Sequence, residues 1–358
     1  ITRLEVEGGA YNPALTEPLL ELGVAMQQAG MHAEAIDLLK RGVHLARVNN
    51  GLYSKIQLAL LEAEIKSHIA LGQFDKADDR QRYLYRVQQR TLKDSGRGFA
   101  LMRQAQWQRR AYELEIDDEG FNRLIKMWNL HRMALAEFAQ ANGDTSATLL
   151  PPLYGMLRAQ YLMSGSNGEN STGRFRRDVF SMRSDAGRSL AFRGKSYKQG
   201  DSVIRAIFDV QATQPDTGRL ANARVLAMMG DWRLWHGRHE EAMEAYAEAI
   251  IELASAENAK KSMQSLFGAP VALPALEGIR PLPEPVAVEK SDMLLEFSVD
   301  ERGRVRDLKR LDDNGANKGI ANRIMQTLRR TPFRPRFDTG EAVPTTGIQW
   351  AYDTQQWQ

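Results

Sequence analysis

The sequence predicts a mostly α fold: an α-solenoid of paired helices followed by a small α+β domain with elements in the order β-β-α-β. Three observations carry this reading. Apolar residues recur at helical spacing as far as about residue 266. Part of that region repeats itself at a fixed offset. Two-residue alternation, the mark of strands, appears only after about residue 290.

The repeat comes first. Gly9-Ala10-Tyr11 returns as Gly51-Leu52-Tyr53, an offset of 51 − 9 = 42 positions, and the same offset carries Leu19 onto Leu61, Gly30 onto Gly72 and Ala35 onto Ala77. Each copy has apolar positions at helical spacing on both sides of its inner glycine. Each therefore reads as two antiparallel helices with Gly30 or Gly72 in the turn. Ala35 and Ala77 fall where the paired helices must approach closely, and a larger side chain there would force them apart.

These residues resemble the tetratricopeptide repeat. Leu22-Gly23, Gly30 and Ala35 match its spacing in the first copy, and Gly72 and Ala77 match it in the second. The second copy departs where Glu64-Ile65 replaces the large-apolar/glycine pair. The offset is longer than the basic repeat and is similar to the extended repeats of kinesin light chains. A third unit is expected at Gly230, Gly237, Ala242, Tyr246 and Ala249. Between the units the repeat decays but helical periodicity persists over Phe99–Leu114, Phe121–Ala141 and Leu149–Met163, the last begun by Pro151-Pro152. Residues 1–266 thus read as one helical-repeat domain with a concave binding groove.

Two stretches interrupt the pattern. Ser164 to Gly173 has loop composition and runs into a basic stretch that includes Arg174, Arg176, Arg177, Arg183, Arg188, Arg193, Lys195 and Lys198. The span of about 164–198 is expected as a basic loop insertion, either a site for an anionic partner or a solvated loop paired with acidic helix ends. Residues 267–289 hold Pro270, Pro274, Pro281, Pro283 and Pro285 and read as an extended linker open to proteases.

In residues 290–358, Leu295, Phe297 and Val299 alternate with polar neighbours, and Asp300-Glu301-Arg302-Gly303 turns the chain into Val305–Leu311. A helix follows from about Lys318 to Arg329, with Ile320, Ile324 and Leu328 on one face. Ile348, Trp350 and Tyr352 alternate in a last strand. Phe297-Ser298-Val299-Asp300, Gly303-Arg304-Val305, the run from Leu328 to Phe333-Arg334-Pro335 and the return after Gly340-Glu341-Ala342-Val343 resemble the C-terminal domain of TonB-family proteins. That resemblance implies a periplasmic domain that pairs an edge strand with a segment of an outer-membrane partner, and a link to TonB-type transport. The chain departs from an energy transducer of that family, showing no membrane anchor and a spacer too short to cross a periplasm. The resemblance therefore supports location and binding mode more than energy transduction.

Composition narrows the chemistry. The 358 residues contain no cysteine, which removes disulfides, thiolate metal sites and cysteine nucleophiles. A formal net charge of +3 demands no nucleic-acid partner, and aromatics that would stack bases are sparse in the basic stretch. No run approaches a membrane span, and Ile1–Ala10 lacks a secretory-signal pattern, which says little about export. His236-Gly237-Arg238-His239-Glu240 has the wrong histidine spacing for a helical zinc pair. Gly194-Lys195-Ser196 lacks the glycine and strand of a phosphate loop, and Asp312-Asp313-Asn314-Gly315 lacks the closing glutamate of a calcium loop. No catalytic constellation, cofactor loop or metal set stands out.

The expectation is a non-catalytic adaptor of the bacterial cell envelope, periplasmic or facing the periplasm. One protein partner would lie in the repeat groove and a second along the strand formed by Ile348, Gln349, Trp350, Ala351 and Tyr352. Arg174, Arg176, Arg177 and Arg183 would meet an anionic partner. The alternative is a structural subunit of a larger envelope assembly, with the last domain as a packing module.

Overall fold

The computed structural model describes residues 1–117, 119–165, 179–215, 218–256, 258–279, 282–312 and 318–357. It is mostly helical, with a small antiparallel sheet region at the C-terminal end. The chain divides into two compact units, Ile1–Ala159 and Gln160–Gln358.

The first unit is built from α1 (Thr2–Gly8), α2 (Thr16–Gln28), α3 (His32–Asn50), α4 (Ile56–Ala70), α5 (Phe74–Thr91), α6 (Asp94–Glu113), α7 (Gly120–Asn142) and the start of α8 (Leu150–Gly165). Helices α2 and α3, α4 and α5, and α6 and α7 pack as consecutive pairs. The first two pairs close with one device. Gly30 N–H donates to the Gln27 carbonyl and Met31 N–H to the Met26 carbonyl, and the bonds recur at Gly72 to Ile69 and Gln73 to His68. This is a Schellman cap, which needs a left-handed residue, and Gly30 and Gly72 sit at φ 78° and 67°.

The third pair makes the same two bonds, Glu115 to Tyr112 and Ile116 to Ala111, with Glu115 itself at φ 49°. The repeat thus continues at 115 − 72 = 43 positions, although its signature glycine is gone.

Ala35 and Ala77 are fully buried beside Leu39, Leu60, Leu61, Leu84 and Val87. A Cβ on Gly23 would lie 2.8 Å from Leu39 Cγ, so the first pair closes only over a glycine. Across the next helices runs a buried polar clasp. Arg123 of α7 donates through Nη1 and Nη2 to the two carboxylate oxygens of Asp78 on α5, at 3.0 and 2.8 Å, and Trp107 Nε1 of α6 donates to Asp78 Oδ1 at 2.7 Å. Burial by itself would raise the Asp78 pKa, but the hydrogen bonds from Arg123 and Trp107 outweigh it and hold the carboxyl below its ordinary value.

The second unit contains the end of α8, then α9 (Val179–Ala212), α10 (Arg219–Trp235), α11 (His239–Ala254) and α12 (Ala259–Phe267). The expected third repeat is the pair α10 and α11. Gly237 turns it at φ 73°, with bonds from Gly237 to Leu234 and from Arg238 to Arg233. The Tyr246 ring lies over Gly230, and Ala242, Tyr246 and Ala249 are fully buried.

The remaining elements are β1 (Val271–Ala272), β2 (Met293–Val299), β3 (Val305–Arg310), α13 (Lys318–Arg330), β4 (Phe333–Arg334), β5 (Arg336–Asp338), β6 (Glu341–Val343) and β7 (Thr345–Tyr352). The principal sheet is antiparallel in the order β3-β2-β7, so the expected β-β-α-β succession is present. Its inner face, Leu295, Phe297, Val299 and Tyr352, packs on Ile324 and Leu328 of α13.

Two expectations differ from the structure. Residues 179–198, expected in a basic loop, lie within α9, because arginine, lysine, alanine and leucine are good helix formers and a run of positive charge does not by itself break a helix. Part of the span 267–289, expected as an exposed linker, is packed, while Glu284, Pro285 and residues 287–289 are exposed. Phe267 and Leu273 are fully buried, Leu276, Ile279 and Leu282 are less than a tenth exposed, and β1 pairs with β4. Proline stops the helix there, but the apolar residues between the prolines still find a core.

Candidate functional site

The two outer strands of the principal sheet carry different chemistry. Strand β3 holds Arg306, Asp307, Lys309 and Arg310, and Asp307 at φ 52° breaks the extended run. Charge and local irregularity are the usual means of blunting an edge against pairing. Strand β7 reads Thr-Thr-Gly-Ile-Gln-Trp-Ala-Tyr and carries no charge. Among the described residues it pairs only with β2.

The register determines which backbone groups of β7 face away from β2. Leu294 lies opposite Ala351. Its N–H donates to Asp312 Oδ2 and its carbonyl accepts from Leu311 N–H, both on the β3 side. Ala351 is therefore in a non-hydrogen-bonded pair and turns its own N–H and C=O outward. The Ala351 carbonyl indeed accepts Val286 N–H at 2.8 Å. Two residues back, Gln349 has the same outward orientation, beyond the reach of that contact. The segment before β2 thus covers the C-terminal end of the edge and leaves the part around Gln349 open.

The five sequence-predicted residues of this strand are brought together but serve different ends. Tyr352 and Ala351 are buried. The half-buried Trp350 packs edge-on against Phe297 at 5.1 Å and tilted against Phe333 at 5.7 Å, and Ile348 belongs to the same core. Only Gln349 is exposed, and its Nε2 donates to Glu296 Oε2, while Lys309 pairs with Glu296 Oε1. Lys309 and Gln349 together keep the Glu296 carboxyl below its ordinary pKa. A partner strand would meet main chain at this edge, with the half-buried Ile348 and Trp350 on the helix side and a polar row on the other. Arg174, Arg176 and Arg177 lie outside the described residues; Arg183 falls in α9.

Sequence reasoning missed the residues that anchor the sheet. Arg334 of β4 donates from Nε and Nη2 to Asp231 of α10 at 2.9 and 2.7 Å, and from Nη1 to the Leu266 carbonyl at 2.9 Å. Tyr246 Oη donates to Asp231 Oδ1 at 2.8 Å, and Phe337 of β5 packs edge-on against Tyr246 and Phe267. Burial opposes the charge on Arg334, but Asp231 more than compensates and drives its pKa upward. Gly303, in the turn between β2 and β3, accepts Phe333 N–H at 2.8 Å. The Phe-Arg-Pro run drew attention to Arg334, but nothing local in the sequence singles out Asp231 as its partner.

Of the histidines weighed as metal ligands, His236 lies against Trp232 and Tyr197 at ring distances of 4.4 and 5.4 Å. Among the described residues, no three histidine, aspartate or glutamate side chains converge as metal ligands, and no helix is long and apolar enough to cross a membrane.

No protein-family model matches the sequence, and no curated protein matches it. Solved structures similar to it in fold include a protein of Podospora anserina described as a putative kinesin light chain with nearly identical TPR-like repeats. That structure is 15% identical, spans 69% of this chain and 98% of its own, and has a TM-score of 0.42. A second crystal structure from the same organism, described in the same words but as a glutamine-to-methionine variant, is 16% identical over 68% and 96%, with a TM-score of 0.41. BtubC (BKLC) of P. vanneervenii is 12% identical over 80% and 90%, with a TM-score of 0.40.

Proposed function

We propose that this protein is a non-catalytic adaptor of the bacterial cell envelope, which holds one protein partner on its helical repeats and adds a strand from another along the outer edge of β7. The observation that carries the second half is the contrast between the two edges. The sheet guards β3 with four charged residues and leaves the outward main chain near Gln349 with no charge beside it on β7. A long uncharged edge invites pairing, and strand addition supplies affinity through main-chain bonds whatever the partner's side chains. The periplasmic setting and the link to TonB-type transport rest on the sequence resemblance of residues 290–358.

Photo-crosslinkers placed at Gln349 and at Arg306 test the edge in source cells. Gln349 should capture a defined envelope protein, and Gln349→Pro should abolish that complex while circular dichroism stays unchanged, because the main-chain donor that proline removes there points outward and the only other bond lost is the exposed one to Glu296. Equal capture from Arg306 would refute the assignment. The buried Asp231–Arg334 pair favours a second reading, a structural subunit, since it fixes β4 to α10. A stoichiometric complex that survives high salt on purification would select that reading over an exchangeable adaptor.

A further inference from the structure

We infer that the outer face of α5 in the first unit is a docking surface for an extended acidic peptide segment. Lys76, Arg80, Tyr83, Arg86 and Arg90 follow one another along α5 at intervals of three or four residues. That places them within one sector of the helix over a length of about 21 Å. Lys40 and Arg47 of α3 face the same surface, and between the two helices lies an open pocket of about 360 Å³ with His68 of α4 in its lining.

Three features make this more than a solvated helix face. First, most of the charge is unpaired, although the exposed Asp79 also lines the pocket and Arg80 is paired with Glu64. Lys40, Arg47, Lys76, Arg86 and Arg90 have no ion-pair partner among the described residues, whereas Arg41, Arg82, Arg97, Arg103 and Arg123 of the same unit each have one. Like charges four apart on a helix repel, so the unpaired Arg86 and Arg90 cost stability that an anionic ligand would return. Second, the row is organised. The buried Glu64 takes Arg80 Nε at 2.7 Å, which fixes the side chain and leaves its terminal nitrogens available. Third, the aromatics are already occupied. Arg47 and Arg86 lie 5.8 and 5.7 Å from the Tyr83 ring centre, and Arg90 lies 4.1 Å from that of Tyr53. Tyr83 Oη donates to Gln57 Oε1 at 2.6 Å.

The shape and the aromatics select the partner. A row this long suits a linear polyanion better than a single small anion. Tyr83 already has two guanidinium groups near its ring and Tyr53 has one, which leaves less aromatic face for the base stacking that single-stranded nucleic acid would use. Six or seven extended residues span the same length, so alternate glutamates or aspartates would meet successive cations. The edge of β7 belongs to the other unit, and the two surfaces can be tested separately.

The test is fluorescence anisotropy of a fluorescein-labelled hexaglutamate peptide against the full chain at low and high salt. Saturable binding should weaken as salt rises. Lys76→Gln with Arg86→Gln should weaken it about tenfold, as expected from the loss of two partly exposed charge contacts. Lys66→Gln with Arg132→Gln removes the same charge from exposed positions off the row and should leave binding within about twofold, a change that amounts to under half a kcal/mol. All four residues are exposed, so thermal melts should not fall, and Lys76→Gln with Arg86→Gln should raise them slightly by relieving the repulsion. The inference is overturned if the wild type shows no saturable binding or if both pairs of substitutions weaken it alike. It is also overturned if single-stranded oligothymidine or anionic vesicles bind more tightly than the peptide through Lys76 and Arg86.

Discussion

Arg334→Met removes the guanidinium that joins β4 to α10 while keeping most of the side-chain stem. Asp231, 3% exposed, would retain one donor, Tyr246 Oη, where it now has three, and the Leu266 carbonyl would lose the donation it receives from Arg334. Leaving a buried charge without its partner costs about 3–5 kcal/mol. That is a large part of the 5–15 kcal/mol, roughly, by which an ordinary domain is stable. Asp231→Leu alone should cost a similar amount, because it strands the cation. The double substitution should recover much of the loss, because two apolar side chains can fill the site without a charge to desolvate. The assay is urea unfolding of the full chain followed by tryptophan fluorescence, with amide exchange at α10 and β4 reporting where the loss falls. A cost below about 1 kcal/mol for Arg334→Met, or strictly additive losses in the double variant, would refute the claim that this pair holds the sheet to the helices.

Two further outcomes concern the helical pairs. His131 is buried and its pKa is pushed down to about 4 by burial and, secondarily, by Arg158. The folded state keeps it neutral while the unfolded chain takes up a proton below about 6.5, so stability is at its full value above that pH. It should fall as pH drops toward 4, by up to about 3 kcal/mol, and His131→Phe should flatten that slope in urea titrations run at several pH values. Glu115→Gly should stabilise the first unit by up to about 1 kcal/mol, because the left-handed turn position at φ 49° suits glycine better; a lower melting temperature would contradict it.

The paired helices, the turns at Gly30, Gly72 and Gly237 and the β-β-α-β succession were all legible in the sequence. Each rests on interactions between residues a few positions apart: helical spacing, two-residue alternation, or one glycine at a cap. The third turn was not legible, because Glu115 occupies the left-handed position without the residue type that announces it. The strand around Gln349 could be read as a strand, but its place at an exposed edge was expected only from the resemblance and followed from no local pattern. That depended on the order β3-β2-β7 and on Val286 reaching Ala351. The burial of Phe267, Leu273, Leu276, Ile279 and Leu282 and the Asp231–Arg334 pair, 103 positions apart, were decided by tertiary structure alone. Proline content describes what a backbone cannot do locally, while burial depends on which distant surface is free to cover it. Pairing a buried charge is settled in the same way, by which carboxylate the fold brings within reach.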